Sequence, residues 1–166
     1  AFNKDIIDPS ASRYFFVADP QKIAIAKAPE RDVELDLHPD SKKGGRKFST
    51  QGEFYFSGED LKNLRDGKLY RLMDCLNFTK KGKTFTFESE DYESYKDVGE
   101  GILHWLPVSK EVVEVEVLMP DGKVIEGLGE VGLEKLKVGD VVQFMRFGFV
   151  RLDKKGNKLS FWYAHS

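Results

Sequence analysis

"QFMRFGFVRLDKKG", residues 143–156, decides how the chain is read. Phe144, Phe147, Phe149 and Val150 supply the aromatic and branched content of a strand, and "DKKGNK" supplies the turn that ends it. Yet Gln143, Arg146 and Arg151 stand among the phenylalanines, and a core strand rarely carries such planar, multi-donor groups. A β framework that presents polar side chains at its rim would account for both.

The segments on either side have the same character. "RYFFV" (13–17) and "KIAIA" (22–26) read as short strands split by the turn "ADPQ". "DVELDL" (32–37) alternates acids with Val33, Leu35 and Leu37, the period of a half-buried strand. "HPDSKKGGRK" (38–47) reads as a surface loop, because proline, glycine and basic residues fill it. "GEFYFS" is a further strand, and Ser57 with Asp60 after it forms a capping signal for a short helix. Residues 67–89 predict a hairpin turning at "TKKGK", and residues 111–128 a second one. "GLEKLKVGD" predicts a short turn or helix before a last hairpin closing on "KLSFWYA". Short strands with frequent turn signals predict an all-β chain of two small β-barrels packed in tandem, with one or two short helices. The division expected is an entry linker at 1–12, a first barrel at 13–108 and a second at 109–166, with the final strands free to pack back on the first. No internal repeat is legible.

The 166 residues are 40% apolar and 33% charged, enough to bury a core and stay in solution. The net charge of -2 argues against a nonspecific DNA binder, whose affinity rests on neutralising phosphates. Cys75 alone cannot form an internal disulfide, and no apolar run reaches membrane-spanning length, so a cytoplasmic, reducing compartment is expected. The opening at Ala1, without a methionine, reads as a piece of a longer protein.

Enzyme signals are poor. "KKGGRK" lacks the phosphate-binding frame GxxxxGK[ST]. His38, His104 and His165 are scattered without zinc spacing, and His104 beside Trp105 reads as structural. The acidic run at 88–100 lacks the frame of a calcium loop, and no metal site is expected. Arginine and glutamine beside aromatics are instead the groups that read splayed, single-stranded bases. Arg13-Tyr14-Phe15-Phe16, Tyr70-Arg71 and the stretch from Gln143 to Phe147 combine the two.

"NKDIIDPSASRYFFVADPQKIAI", "DLHPDSKKGGRKF", "SEDYESYKDVGEGILHWLP" and "LKVGDVVQFMRFGFVRLDKKG" together resemble the C-terminal anticodon-binding region of glutamyl-tRNA synthetases. The archaeal type fits best, within the class I group that also holds the glutaminyl enzymes. The resemblance implies two β-barrels gripping the anticodon arm of tRNA(Glu), with tRNA(Gln) a second candidate and no membrane or DNA partner. It implies no catalytic residue and no cofactor in this piece. ATP and magnesium would belong to a preceding catalytic domain, whose HIGH-like and KMSKS-like motifs are absent here, making the piece the inactive recognition half of a glutamate-tRNA ligase.

Matched residue by residue, the resemblance implies that Arg13, Gln143 and Arg146 converge on the middle anticodon base, a uridine. Arg71 matches an arginine associated with the first base. Lys42, Lys43, Arg46 and Lys47 are the candidate phosphate contacts. Gln143 and Arg146 are three positions apart and would point to opposite faces of a regular strand, so convergence calls for a β-bulge near Met145 or a side chain curling round the strand end. The sequence departs from the glutaminyl relatives at Met73, where they carry a second arginine, at Arg65, where they carry a Lys-Arg pair, and at Asp40, where they carry asparagine. The competing readings are a free-standing β-barrel module that binds RNA or protein, and a free-standing enzyme with an unrecognised site.

Overall fold

The computed structural model describes residues 11–38 and 41–166, without the side chains of residues 41–43. The entry linker up to residue 10 and Asp40 lie outside that description. The chain is all-β. One seven-stranded sheet contains β1 (Arg13–Tyr14), β2 (Phe16–Ala18), β12 (Val112–Leu118), β13 (Val124–Glu130), β14 (Val141–Phe144), β15 (Gly148–Lys155) and β16 (Leu159–His165). Its order is β1-β14-β15-β16-β12-β13-β2. β1 and β2 are successive parts of one segment bent at Phe15, yet they form opposite edges: β1 runs parallel to β14 and β2 antiparallel to β13. One chain segment therefore joins the two edges, and the sheet closes on itself.

The second seven-stranded sheet repeats this plan. It holds β3 (Pro20–Ala26), β6 (Glu53–Ser57), β7 (Leu69–Leu72), β8 (Leu76–Lys81), β9 (Thr84–Ser89), β10 (Gly101–Leu103) and β11 (Leu106–Pro107). Here β10 and β11 are the two halves of one bent segment, β10 parallel to β7 and β11 antiparallel to β6. In each barrel an antiparallel pair is followed by a short helix and then a three-stranded meander. The helices are α1 (Gly58–Asn63), capped by Ser57 Oγ accepting from the Asp60 amide at 3.1 Å, and a 3-10 turn at Val131–Lys135. The repeat extends to single bonds. The Met73 amide donates to the Leu103 carbonyl at 2.9 Å, as the Met145 amide does to Tyr14 at 3.0 Å. Asp74 and Arg146, next in each chain, both have positive φ, 57° and 62°.

One closing segment crosses between the sheets. Residues 13–18, expected with the first barrel, build the second, and residues 101–107 close the first just before the chain enters the second. It is the opening strands, rather than the final ones, that cross between sheets. This explains why the four residues after Arg13, Tyr14 to Val17, are all aromatic or branched apolar. Alternate residues of a strand face opposite sides, so Tyr14 and Phe16 enter the core of the second barrel, with Val117, Phe144 and Phe161. Phe15 and Val17 enter the other core, with Phe48, Phe54, Phe78 and Trp105. The Trp105 indole is fully buried and donates to the Met73 carbonyl at 2.9 Å, which satisfies its one donor.

The expected surface loop at 38–47 is a correction. β4 (Arg31–His38) and β5 (Ser41–Thr50) form a two-stranded hairpin inserted between β3 and β6. Its glycines take φ of +70° at Gly44 and +111° at Gly45, which side chains disfavour. Their amides donate to acids of the facing strand, Gly44 to Asp36 Oδ1 at 2.8 Å and Gly45 to Glu34 Oε2 at 3.1 Å.

Candidate nucleic-acid interface

β1 and β14 lie side by side in parallel, with Arg13 paired to Gln143 and Tyr14 to Phe144. Tyr14 and Phe144 point into the core of the second barrel. Arg13 and Gln143 therefore share the outward face of these strands, and both are half-buried there. The two residues, far apart in the chain, are thus neighbours.

Arg146 follows on the turn between β14 and β15. The single strand read from "QFMRFGFVRLDKKG" is in fact two, broken at Met145–Phe147, where the Phe147 amide bonds back to the Phe144 carbonyl at 3.0 Å. The break is a tight turn with Arg146 in the left-handed region, rather than a β-bulge. Its guanidinium reaches across to the first barrel. Nη1 donates to Asp60 Oδ2 at 2.7 Å and Nη2 to Oδ1 at 2.9 Å, a bidentate clamp, and Nη1 also lies 2.9 Å from His104 Nδ1. Among the described residues, none of its hydrogen bonds runs to Arg13 or Gln143. The group borders a cleft of about 730 Å³ between the barrels that also includes Phe16, Phe147 and Lys62.

Burial raises the Asp60 carboxyl, but the hydrogen bonds and charge of Arg146, with help from His104 and Ser57, outweigh it and hold the group below its usual range. His104 is pushed down to about 4, first by burial and then by the charge of Arg146, with Asp60 opposing. The imidazole is therefore neutral near pH 7. Nδ1 accepts from Arg146, and the other ring nitrogen is left to bond the Phe16 backbone. The hydrogen bond to Asp60 raises the Arg146 pKa, against the effect of burial.

The other sequence candidates lie elsewhere. Arg71 is 7% exposed, its Nη1 committed to Asn77 Oδ1 and the Glu90 carbonyl at 2.9 Å each, and its plane is 5.8 Å from the Tyr92 ring. In the repeat it occupies the position of Gln143, as Ile102 does that of Arg13. Arg46, expected among the phosphate contacts, is turned inward instead. It is 6% exposed, packs over the Phe15 ring at 4.7 Å and binds Glu130 through Nε and Nη2, the latter at 2.6 Å. Strand alternation gives the reason, since Phe48 enters the core and Arg46, two residues earlier, faces the same way. Lys47 is exposed, and the side chains of Lys42 and Lys43 lie outside the described residues. Among the described residues, no group of His, Cys, Asp or Glu is placed to hold a metal ion, and no helix is long and apolar enough to cross a membrane.

Asp60 and His104 were not legible as site residues. Asp60 reads as a helix cap and His104 as core, and their partner lies 86 and 42 positions away.

Two family models, both described as "tRNA synthetases class I (E and Q), anti-codon binding domain", match residues 11–95 and 102–153. The chain is 40% identical over 162 residues to a glutamate-tRNA ligase of Methanocaldococcus jannaschii, covering 95% of this chain and 29% of that protein. It is 40% identical to one from Methanothermobacter thermautotrophicus, covering 98% of this chain and 29% of that protein. With one from Pyrococcus furiosus the identity is 39%, covering 99% of this chain and 30% of that protein. The chain thus spans less than a third of the length of these relatives. Matched along both barrels, and by relatives aligned over nearly every residue, the chain belongs to the anticodon-binding domain family of the class I (E and Q) tRNA synthetases.

Proposed function

We propose that this chain recognises the anticodon of tRNA(Glu) as the tRNA-reading part of a glutamate-tRNA ligase, with Arg13, Gln143 and Arg146 reading the middle base. The observation that supports the reading is the parallel pairing of Arg13 with Gln143, which brings a guanidinium and an amide, the two proposed readers, side by side just before the turn that carries Arg146. Uracil presents O4 as an acceptor, whereas cytosine presents an amino donor at that position, so arginine and amide donors favour uridine. Arg71, held against the loop that carries Tyr92, supports the first-base end of the interface by fixing that aromatic surface. Lys47, Lys42 and Lys43 are the remaining phosphate candidates on the hairpin. ATP and magnesium would serve the parent enzyme's catalytic domain, and the chain by itself is expected to leave glutamate unactivated.

Replacing Arg146 with alanine tests the base assignment. Binding to an anticodon stem-loop with the middle uridine should weaken by about 1–3 kcal/mol, and the preference over a cytidine loop should shrink with it. Equal weakening of both loops would make Arg146 a phosphate anchor and remove it from the base pocket.

A further inference from the structure

Among the described residues, the hydrogen bonds of the Arg146 guanidinium run to the other barrel, and this carries an inference that rests on the reading above. Arginine has five N–H donors in one plane. Two of them grip the Asp60 carboxylate end-on, at 2.7 and 2.9 Å, and a third meets His104 Nδ1 at 2.9 Å. The donors left uncommitted among the described residues are Nε–H and the second Nη2–H, which lie together on one edge of the guanidinium. Asp60 is itself fixed, since its amide donates to the capping Ser57 Oγ and the helix start is tied to the Asp19 carbonyl through the Gly58 amide at 3.0 Å. His104 is fixed too, lying in the closing segment 101–107 next to buried Trp105 and tilted against the Phe15 ring at 6.3 Å. The clamp thus joins α1 and the segment that closes the first barrel to the turn of the opposite barrel.

We infer that Asp60 and His104 are positioning residues that preset the Arg146 guanidinium, leaving one two-donor edge for the carbonyl acceptors of the middle base and thereby setting the choice of uridine over cytidine. A long arginine side chain at a turn, left free, would sample many rotamers and lose that freedom on binding. The clamp removes the loss beforehand and fixes which edge faces the RNA. Neither residue needs to touch the base.

The test is a double-mutant cycle on the whole 166-residue chain, read as the ratio of affinities for stem-loops with uridine or cytidine in the middle position. Asp60→Ala is expected to lower that ratio by about tenfold, and the near-isosteric Asp60→Asn, which keeps one acceptor, by about threefold. In an Arg146→Ala background, Asp60→Ala should leave the ratio within about twofold, because its effect passes through the arginine. His104→Gln should lower the ratio in the same direction. Circular dichroism melts accompany each variant, and if Asp60→Ala does not fold, Asp60→Asn carries the comparison. An unchanged ratio in Asp60→Asn and His104→Gln overturns the inference while leaving the base assignment standing. A further loss from Asp60→Ala in the Arg146→Ala background also overturns it. Absence of any uridine preference in the unmodified chain sinks the functional reading and the inference together.

Discussion

His104 shows how one buried residue ties stability to pH. Its folded pKa is pushed down to about 4 by burial and the charge of Arg146, against 6.5 ordinarily. Below pH 6.5 the unfolded chain binds a proton that the folded chain refuses until about pH 4, so stability rises with pH across that window and is lost as pH falls through it. The full shift corresponds to about 3 kcal/mol as an upper figure. Asp60, whose carboxyl is held below its usual range despite burial, should add its own loss only at lower pH. Urea denaturation between pH 7 and pH 4 is expected to show a falling midpoint, and His104→Gln should flatten the fall above pH 4. A midpoint with the same pH dependence in the variant would mean that other groups carry it. Nothing near His104 in the sequence announces this behaviour, because Asp60 and Arg146 come from other elements.

At the level of elements, the β4–β5 hairpin is fastened to the opposite barrel by one buried ion pair. Arg46 and Glu130 are 6% and 4% exposed, and Glu130 also accepts from the Phe15 amide at the bend of the crossing segment. Burial lifts the Glu130 carboxyl above its usual range while Arg46 opposes the shift. Removing one partner strands a buried charge, so Arg46→Met should cost about 3–5 kcal/mol in stability and leave the salt dependence of RNA binding unchanged. A reduced salt slope with unaltered stability would return Arg46 to the phosphate contacts. The strands themselves were largely legible, since Val33, Leu35 and Leu37 alternate and glycine-rich turns separate the hairpins. The strand at Ser41–Thr50 was hidden because its glycines and lysines carry loop chemistry, and acids on the facing strand accept from the amides of Gly44 and Gly45. The turn at Met145–Phe147 was hidden for the opposite reason, as it contains no Gly, Pro, Asn or Asp and is held by backbone bonds to the neighbouring strands. The resemblance implied that Arg13 and Gln143 come together, but neither it nor the local pattern gave their parallel pairing, since a parallel partner is chosen by the whole barrel.

Over the whole molecule, two barrels of one plan are joined by the opening segment 13–18, which closes the second barrel and adds Phe15 and Val17 to the core of the first. The base-reading candidates sit where the barrels meet: Arg13 opens the crossing segment, and Arg146 is met by His104 of the segment that closes the first barrel. The net charge of -2 means that affinity must come from a few local contacts. The log–log salt slope of binding should therefore be shallow, with each contacted phosphate of a single strand adding roughly 0.7, and Lys47→Ala should reduce it by about that amount. A slope near about ten would require a much more basic footprint. The measurement closest to the central claim is a titration of the 166-residue chain, at one fixed salt concentration, into a labelled anticodon stem-loop of tRNA(Glu) and into the same stem with a scrambled loop. The native loop is expected to bind at least about tenfold more tightly, the worth of one good base contact. Equal affinity for the two loops would contradict anticodon recognition and identify a β-barrel module indifferent to sequence.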